Sequence, residues 1–185
     1  MALRSLFALV ALAASCAQAA AASVIVESRV AVPAQDCISF EKYIGMHNNP
    51  TIYSSGCASV TSSCLQENGT SIWSHVQCVA AAACQGTSSV ITLNQCQNPN
   101  VKVAAAIPNL SGAIWSSIVG SSSDSMTQQN FIDFVYAAMS TANVTQWPQV
   151  DDVAKFWWEP ILDWTATGST VPYKNFNDWL HFSSS

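Results

Sequence analysis

Glu159 and Asp163 stand four residues apart among aromatic side chains in Trp157-Trp158-Glu159-Pro160-Ile161-Leu162-Asp163-Trp164. On a helix that spacing puts two carboxylates on one face, at a separation that hydrolysis of a glycosidic bond can use. Pro160 lies between them, and a proline inside a helix kinks or divides it, so it is expected to spoil that geometry. Trp157 and Trp158 offer a different chemistry. Adjacent helical residues differ by about 100° in direction, so both indoles cannot point straight at one core. One of them is expected to be partly exposed. An exposed Trp near a carboxylate such as Asp163 makes a surface on which a sugar ring stacks, and the competing reading is that a second packed element covers it.

The other reactive residues exclude more than they offer. His47, His75 and His181 are far apart in sequence and show no metal-ligand spacing, so no metal or cofactor is expected. There is no Gly-x-Ser-x-Gly elbow, no His-Glu-x-x-His, no phosphate loop and no dinucleotide fingerprint, and no catalytic residue is assigned. Asp151 and Asp152 fit the first turn of a helix, where the helix dipole favours negative charge. Asn68-Gly69-Thr70, Asn109-Leu110-Ser111 and Asn143-Val144-Thr145 are acceptor sequons for N-glycosylation, with Asn68, at an expected turn, the foremost.

The ends of the chain bear on where this chemistry takes place. Arg4, an apolar run from Leu6 to Ala14 and the small-x-small triplet Ala17-Gln18-Ala19 form the pattern of a secretory signal peptide over residues 1–19, cut before Ala20. A run of about nine apolar residues is too short for a membrane span, which needs about 20. Ala13-Ala14-Ser15-Cys16 is an alternative, a loose lipobox, but Ala13 stands where that box prefers Leu. Cleavage before Ala20 removes Cys16 and leaves Cys37, Cys57, Cys64, Cys78, Cys84 and Cys96. An even set in a secreted chain reads as three disulfides. The expected localisation is secreted and extracellular.

The mature chain, roughly 165 residues, is long enough for one domain with a core of its own. Half of all residues are hydrophobic and 9% are charged, which argues against disorder. Losing Arg4 leaves five basic residues against eleven acidic ones. With no Lys/Arg cluster, nucleic acid is excluded as a partner and anionic membrane surfaces are disfavoured. The partners left are glycans or an extracellular protein, with no stable membrane insertion.

These residues are held by a series of expected helices. Val24 to Val32 reads as a strand or extended arm ending at Pro33. Asp36 can cap a helix from Cys37 to Met46, which residues 47–50 end. Ser54 to Gln66 is helix-compatible. Asn68-Gly69 turns the chain, and Thr70 caps a helix from Ser71 to Cys84 that Gly86 stops. Further helices are expected from Ser88 to Gln97 and from Leu110 to Val119. After the Ser-rich loop from Gly120 to Ser125, Thr127 caps the clearest helix, with Phe131, Phe134, Val135, Ala138, Met139 and Ala142 on one stripe. A helix from Asp151 carries Val153, Phe156, Trp157, Ile161 and Trp164 inward, kinked or divided after Glu159, and Phe176 to Phe182 makes the last.

Cysteine spacing then limits the pairing. Cys57 and Cys64, seven apart on a helix, are about 10.5 Å apart along its axis, and Cys78 and Cys84 are about 9 Å apart. A disulfide tolerates Cα atoms at most about 7 Å apart, so partners come from other elements. Folding the two helices back at Asn68-Gly69-Thr70 suggests a nested scheme, Cys37–Cys96, Cys57–Cys84 and Cys64–Cys78, one of about fifteen connectivities.

That nested pattern in a helical secreted domain resembles saposin-like lipid-binding proteins, although that family sets its first two cysteines close together and Cys37 and Cys57 are not. Asn130-Phe131-Ile132-Asp133-Phe134, Pro160-Ile161-Leu162-Asp163-Trp164 and Asn175-Phe176-Asn177-Asp178-Trp179-Leu180-His181 are similar to segments of uncharacterised small secreted proteins of mushroom-forming fungi. That resemblance implies a fungal extracellular protein and brings no activity with it.

The sequence thus predicts a mainly α fold: one helical domain over residues 20–185, with a disulfide-stapled front (37–96) and a cysteine-free, Trp-rich helical back (97–185). The leading functional expectation is a non-enzymatic extracellular binding protein for cell-wall or host glycans, with Trp157, Trp158 and Asp163 at the site. One rival is a carboxylate-dependent secreted hydrolase, which places Glu159, Asp163 or Asp178 in a cleft. The other is an apolar-ligand carrier, which predicts an internal cavity lined by Phe and Trp.

Overall fold

The computed structural model describes residues 32–39, 55–120 and 125–182. The signal segment, nearly all of the arm before Pro33, most of the helix expected over residues 37–46, the stretch 47–50 and most of the Ser-rich loop lie outside them. The fold is mainly α. A helical stretch α1 over residues 34–39 starts directly after Pro33, whose carbonyl accepts the N–H groups of Asp36 and Cys37, three residues ahead of the expected start. There follow α2 (Ser55–Gln66), a 3-10 turn (Ile72–Ser74), α3 (Val76–Gln85), α4 (Thr87–Gln97), a second 3-10 turn (Ala104–Ala106) and α5 (Gly112–Val119). The back half holds β1 (Ser125–Met126), α6 (Gln128–Thr141), α7 (Val150–Val153), a π-helical segment (Ala154–Trp158), α8 (Glu159–Thr165), β2 (Val171–Pro172) and α9 (Tyr173–Leu180). β1 and β2 pair antiparallel, Ser125 with Pro172 and Met126 with Val171.

The disulfides take the nested arrangement. Cys37 joins Cys96, Cys57 joins Cys84 and Cys64 joins Cys78, with Cα separations of 5.8, 5.9 and 4.5 Å. Two of them bind α2 to α3 as an antiparallel hairpin, and the third ties α1 to the last turn of α4. The corner of the hairpin is tight: a Cβ on Gly69 would lie 2.8 Å from His75 Nε2. The helix expected to run from Ser71 is interrupted there. His75 is extended (φ −116°, ψ 120°), which separates the 3-10 turn from α3 and lets that turn bury both Ile72 and Trp73. Gly86 ends α3 as expected, at φ 91°, a backbone conformation that glycine adopts without the Cβ clash other residues meet.

α3 is the central helix. Cys78, Val79, Ala80, Ala81 and Ala82 are all buried, and α2, α4, α6 and the π segment pack around it. A helix apolar on every side needs cover on every side, and small Ala side chains let the neighbouring helices come close. α6 presents the expected stripe, its start fixed by a capping box: Asn130 N–H donates to Thr127 Oγ1, and Thr127 N–H donates to Asn130 Oδ1. One apolar cluster runs from Val60 and Cys64 of α2 through α3, α5 and α6 to Phe176 and Leu180 of α9.

The stretch from Val150 to Thr165 differs most from expectation. It runs without a break, and Pro160 is accommodated by the π turn ahead of it, where Glu159 N–H donates to Ala154 O, five residues back. A proline has no N–H for the carbonyl four residues before it and crowds that carbonyl, and a widened turn relieves both problems. The extra residue in that turn shifts the phase of the helix. Val153, Trp157, Trp158 and Ile161 are buried, Phe156 is half-buried, and Trp164, expected inside, is exposed.

Candidate ligand-binding surface

Both expected stacking residues lie in the core. Trp158 is 1% exposed and Trp157 is 3% exposed, so neither offers a face to a ligand. Adjacent residues diverge by about 100° on an α-helix, whereas a π turn carries more residues and its neighbours diverge less. Helices α3 and α6 also pack on the same segment, so there is cover for both indoles. Trp158 lies on Phe131 of α6, ring centroids 5.2 Å apart.

The exposed indoles are Trp147, at 42%, and Trp164, at 39%. Trp147 sits in the connection between α6 and α7, where its ring stacks on Tyr136, centroids 5.4 Å apart and planes 24° apart. The Tyr136 hydroxyl donates to the carbonyl of Pro148 at 2.6 Å, which clasps the connection to α6. Burial, and then the charge of Asp152, push the Tyr136 phenol above its ordinary value of 10.0, so it remains a donor at neutral pH. Trp147 is therefore an indole with one face backed by a fixed ring and much of its surface open. Val150, half exposed, follows three residues later.

Asp163 is exposed on α8 and shares a surface pocket of about 340 Å³ with Glu159, Leu162, Ala166 and Gly168. Pro160 therefore does not separate the two carboxylates: the π turn absorbs it, and Glu159 and Asp163 line one pocket from consecutive turns of α8. Ala166 (φ 52°) and Gly168 (φ 85°) turn the chain back and complete the rim. Asp178 is half-buried on α9. A second pocket, of about 410 Å³, lies beside the Cys37–Cys96 bridge against Ile38, Gln95 and Pro99. Neither wall contains Phe or Trp.

His75 Nδ1 lies 3.3 Å from Glu67, His181 is buried just past the end of α9, and His47 is outside the described residues. No group of three or more His, Cys, Asp or Glu side chains among the described residues is placed to hold a metal ion. Asn68, Asn109 and Asn143 are all exposed, Asn68 and Asn143 at left-handed turns (φ 47° and 53°). None of the helices among the described residues is long and apolar enough to cross a membrane.

Sequence reasoning missed Trp147 and Tyr136. The available signals were weak: Tyr136 falls beside the buried stripe of α6, and Trp147 precedes a proline in a connection with no helical period. Comparison of the chain with protein-family models, with curated proteins and with solved structures finds no match.

Proposed function

We propose that this chain is a secreted, N-glycosylated, non-enzymatic binding protein, of the kind found among small secreted proteins of fungi, that recognises cell-wall or host glycans through Trp147. The observation that carries the reading is the stack of Trp147 on Tyr136. The C–H face of a pyranose packs against a flat indole, and an indole already held in place loses little conformational freedom on binding. Three disulfides and the scarcity of charged residues suit an oxidising, extracellular setting. The test is a titration of intrinsic Trp fluorescence with soluble chitin and glucan oligosaccharides, with detergent-solubilised lipid as the comparison. A saturable shift with one sugar, abolished by Trp147→Ala, supports the reading. A shift with lipid alone, or a sugar response that survives Trp147→Ala, overturns it.

One observation favours a second reading. Glu159 and Asp163 share a pocket, and a carboxylate pair is the machinery of glycoside hydrolysis. On that reading the protein releases new reducing ends from a polysaccharide, and Glu159→Gln and Asp163→Asn each abolish the release. A purified protein that releases none from chitin or glucans removes it.

A further inference from the structure

We propose that the Cys37–Cys96 bridge is a thiol-exchange site, a removable staple that a small dithiol opens while the domain around it stays folded. The three bridges differ in what covers them. Cys64 and Cys78 are both buried in the core cluster. Cys57 is fully buried, and its partner Cys84 packs against the cluster from the edge. Cys37 and Cys96 are both half-buried, and both line the surface pocket of about 410 Å³, between Ala34 and Ile38 on the side of α1 and Gln95 and Pro99 on the side of α4. Exchange requires a thiolate to reach one of the two sulfurs, so access sets the order in which the bridges open.

Opening this bridge costs the rest of the fold little. Among the described residues the hydrogen bonds of α1 are internal: Asp36 and Cys37 N–H donate to Pro33 O, and the Ser39 hydroxyl donates to Gln35 O at 2.7 Å. Isolated helices shorter than about 12 residues are marginal in water, so α1 unwinds once it is released from α4. Neither cysteine belongs to the core cluster, and the core keeps its packing. The pairing is nested, so Cys57–Cys84 and Cys64–Cys78 lie inside the span that Cys37–Cys96 closes and continue to bind α2 to α3. The chemistry is a two-electron exchange. A thiolate of the dithiol attacks one sulfur of the bridge, the S–S bond breaks, and the other sulfur leaves as a thiolate and takes up the proton the dithiol lost. The second thiol of the reagent then gives up its proton and displaces the chain's sulfur from the mixed disulfide. The dithiol ends as a disulfide, and Cys37 and Cys96 end as thiols.

Graded treatment with dithiothreitol, trapping of free thiols with iodoacetamide and peptide mapping test this. Label should appear on Cys37 and Cys96 about tenfold faster than on the other four cysteines, with Cys57 and Cys84 next and Cys64 and Cys78 last. The species labelled at Cys37 and Cys96 alone should keep the near-ultraviolet circular dichroism of the untreated protein, because Trp73, Trp157 and Trp158 remain buried in the core. Release of all six thiols in one step, earlier opening of either inner bridge, or loss of that signal in the two-thiol species overturns the proposal. A chain carrying both Cys37→Ser and Cys96→Ser is the control. It should show the same signal and release no thiol at the dithiothreitol concentration that opens the wild-type bridge, and release equal to that of the wild type overturns the assignment. If that variant does not fold, the mapping decides alone.

Discussion

The rings of Trp158 and Phe131 pack against each other in the core with their planes inclined by 37°. This contact marks Trp158 as a structural indole, in contrast to Trp147, the proposed binding one. Trp158→Ala is expected to lower the stability of the fold by about 3 to 5 kcal/mol, the usual cost of deleting a large buried aromatic. Trp147→Ala removes an exposed ring, so its stability cost should stay within about 1 kcal/mol while the sugar response is lost. Denaturant unfolding alongside fluorescence titration of both variants checks the pair. Loss of binding by Trp158→Ala without loss of stability would show that the indole does reach ligand.

Tyr136 gives a prediction at alkaline pH. Its phenol is held above 10.0 by burial and, secondarily, by Asp152. An unfolded tyrosine ionises at about 10, so above that pH the unfolded chain sheds a proton that the folded chain keeps. The folded chain then binds more protons, and stability falls as pH climbs through and beyond that value. Asp152→Asn should lower the phenol's titration point without restoring its ordinary value, because burial remains. Ultraviolet difference titration, with Tyr136→Phe identifying the group, measures this.

The disulfides should differ in their effect on the hairpin. Cys64–Cys78 closes 14 residues and Cys37–Cys96 closes 59. Loop entropy alone assigns about 3 kcal/mol to the shorter and about 4 kcal/mol to the longer. Burial reverses the expected order, since Cys64 and Cys78 sit in the core cluster, whereas Cys37 and Cys96 are partly exposed at its edge. Replacing Cys64 and Cys78 together by Ser should therefore cost more than replacing Cys37 and Cys96, because it also places hydroxyls in the core. Denaturant midpoints of the two double variants check the order.

Asn177 is a buried polar residue with both ends of its amide used. Its Oδ1 accepts from Leu110 N–H at 2.8 Å, and its Nδ2 donates to Tyr173 O at 2.9 Å. Asn177→Leu leaves the Leu110 N–H without its acceptor and should cost about 1 to 3 kcal/mol. Faster hydrogen exchange of the Leu110 amide is the local signature, and unchanged exchange would mean another group accepts that bond.

Processing is the remaining expectation. The secreted protein should begin at Ala20 and carry no free thiol, because its six remaining cysteines pair. N-terminal sequencing and thiol counting under denaturing conditions test both, and a retained, lipid-modified Cys16 would overturn the cleavage site.

The sequence by itself determined those features whose cause lies within a turn or two of the chain. The stripe from Phe131 to Ala142, the Thr127 cap and the stop at Gly86 are interactions between residues at most a few positions apart, so their spacing was enough to place α6 and the end of α3. The disulfide pairing was legible for a related reason, since helix geometry forbade the near partners and the corner at Asn68-Gly69-Thr70 set the nested order as the one to test. Tertiary structure decided what is covered. The break at His75 depends on burying Ile72 and Trp73 beneath other elements, and the pairing of β1 with β2 joins segments on either side of four helical elements. The fate of Trp157 and Trp158 rested on α3 and α6 together with a π turn before Pro160. Periodicity within one helix states which side chains share a face, but whether solvent or another helix meets that face is set by residues far away in the chain. That is why Trp147, stacked on Tyr136, replaces the Trp157–Trp158 pair as the proposed surface for a ligand.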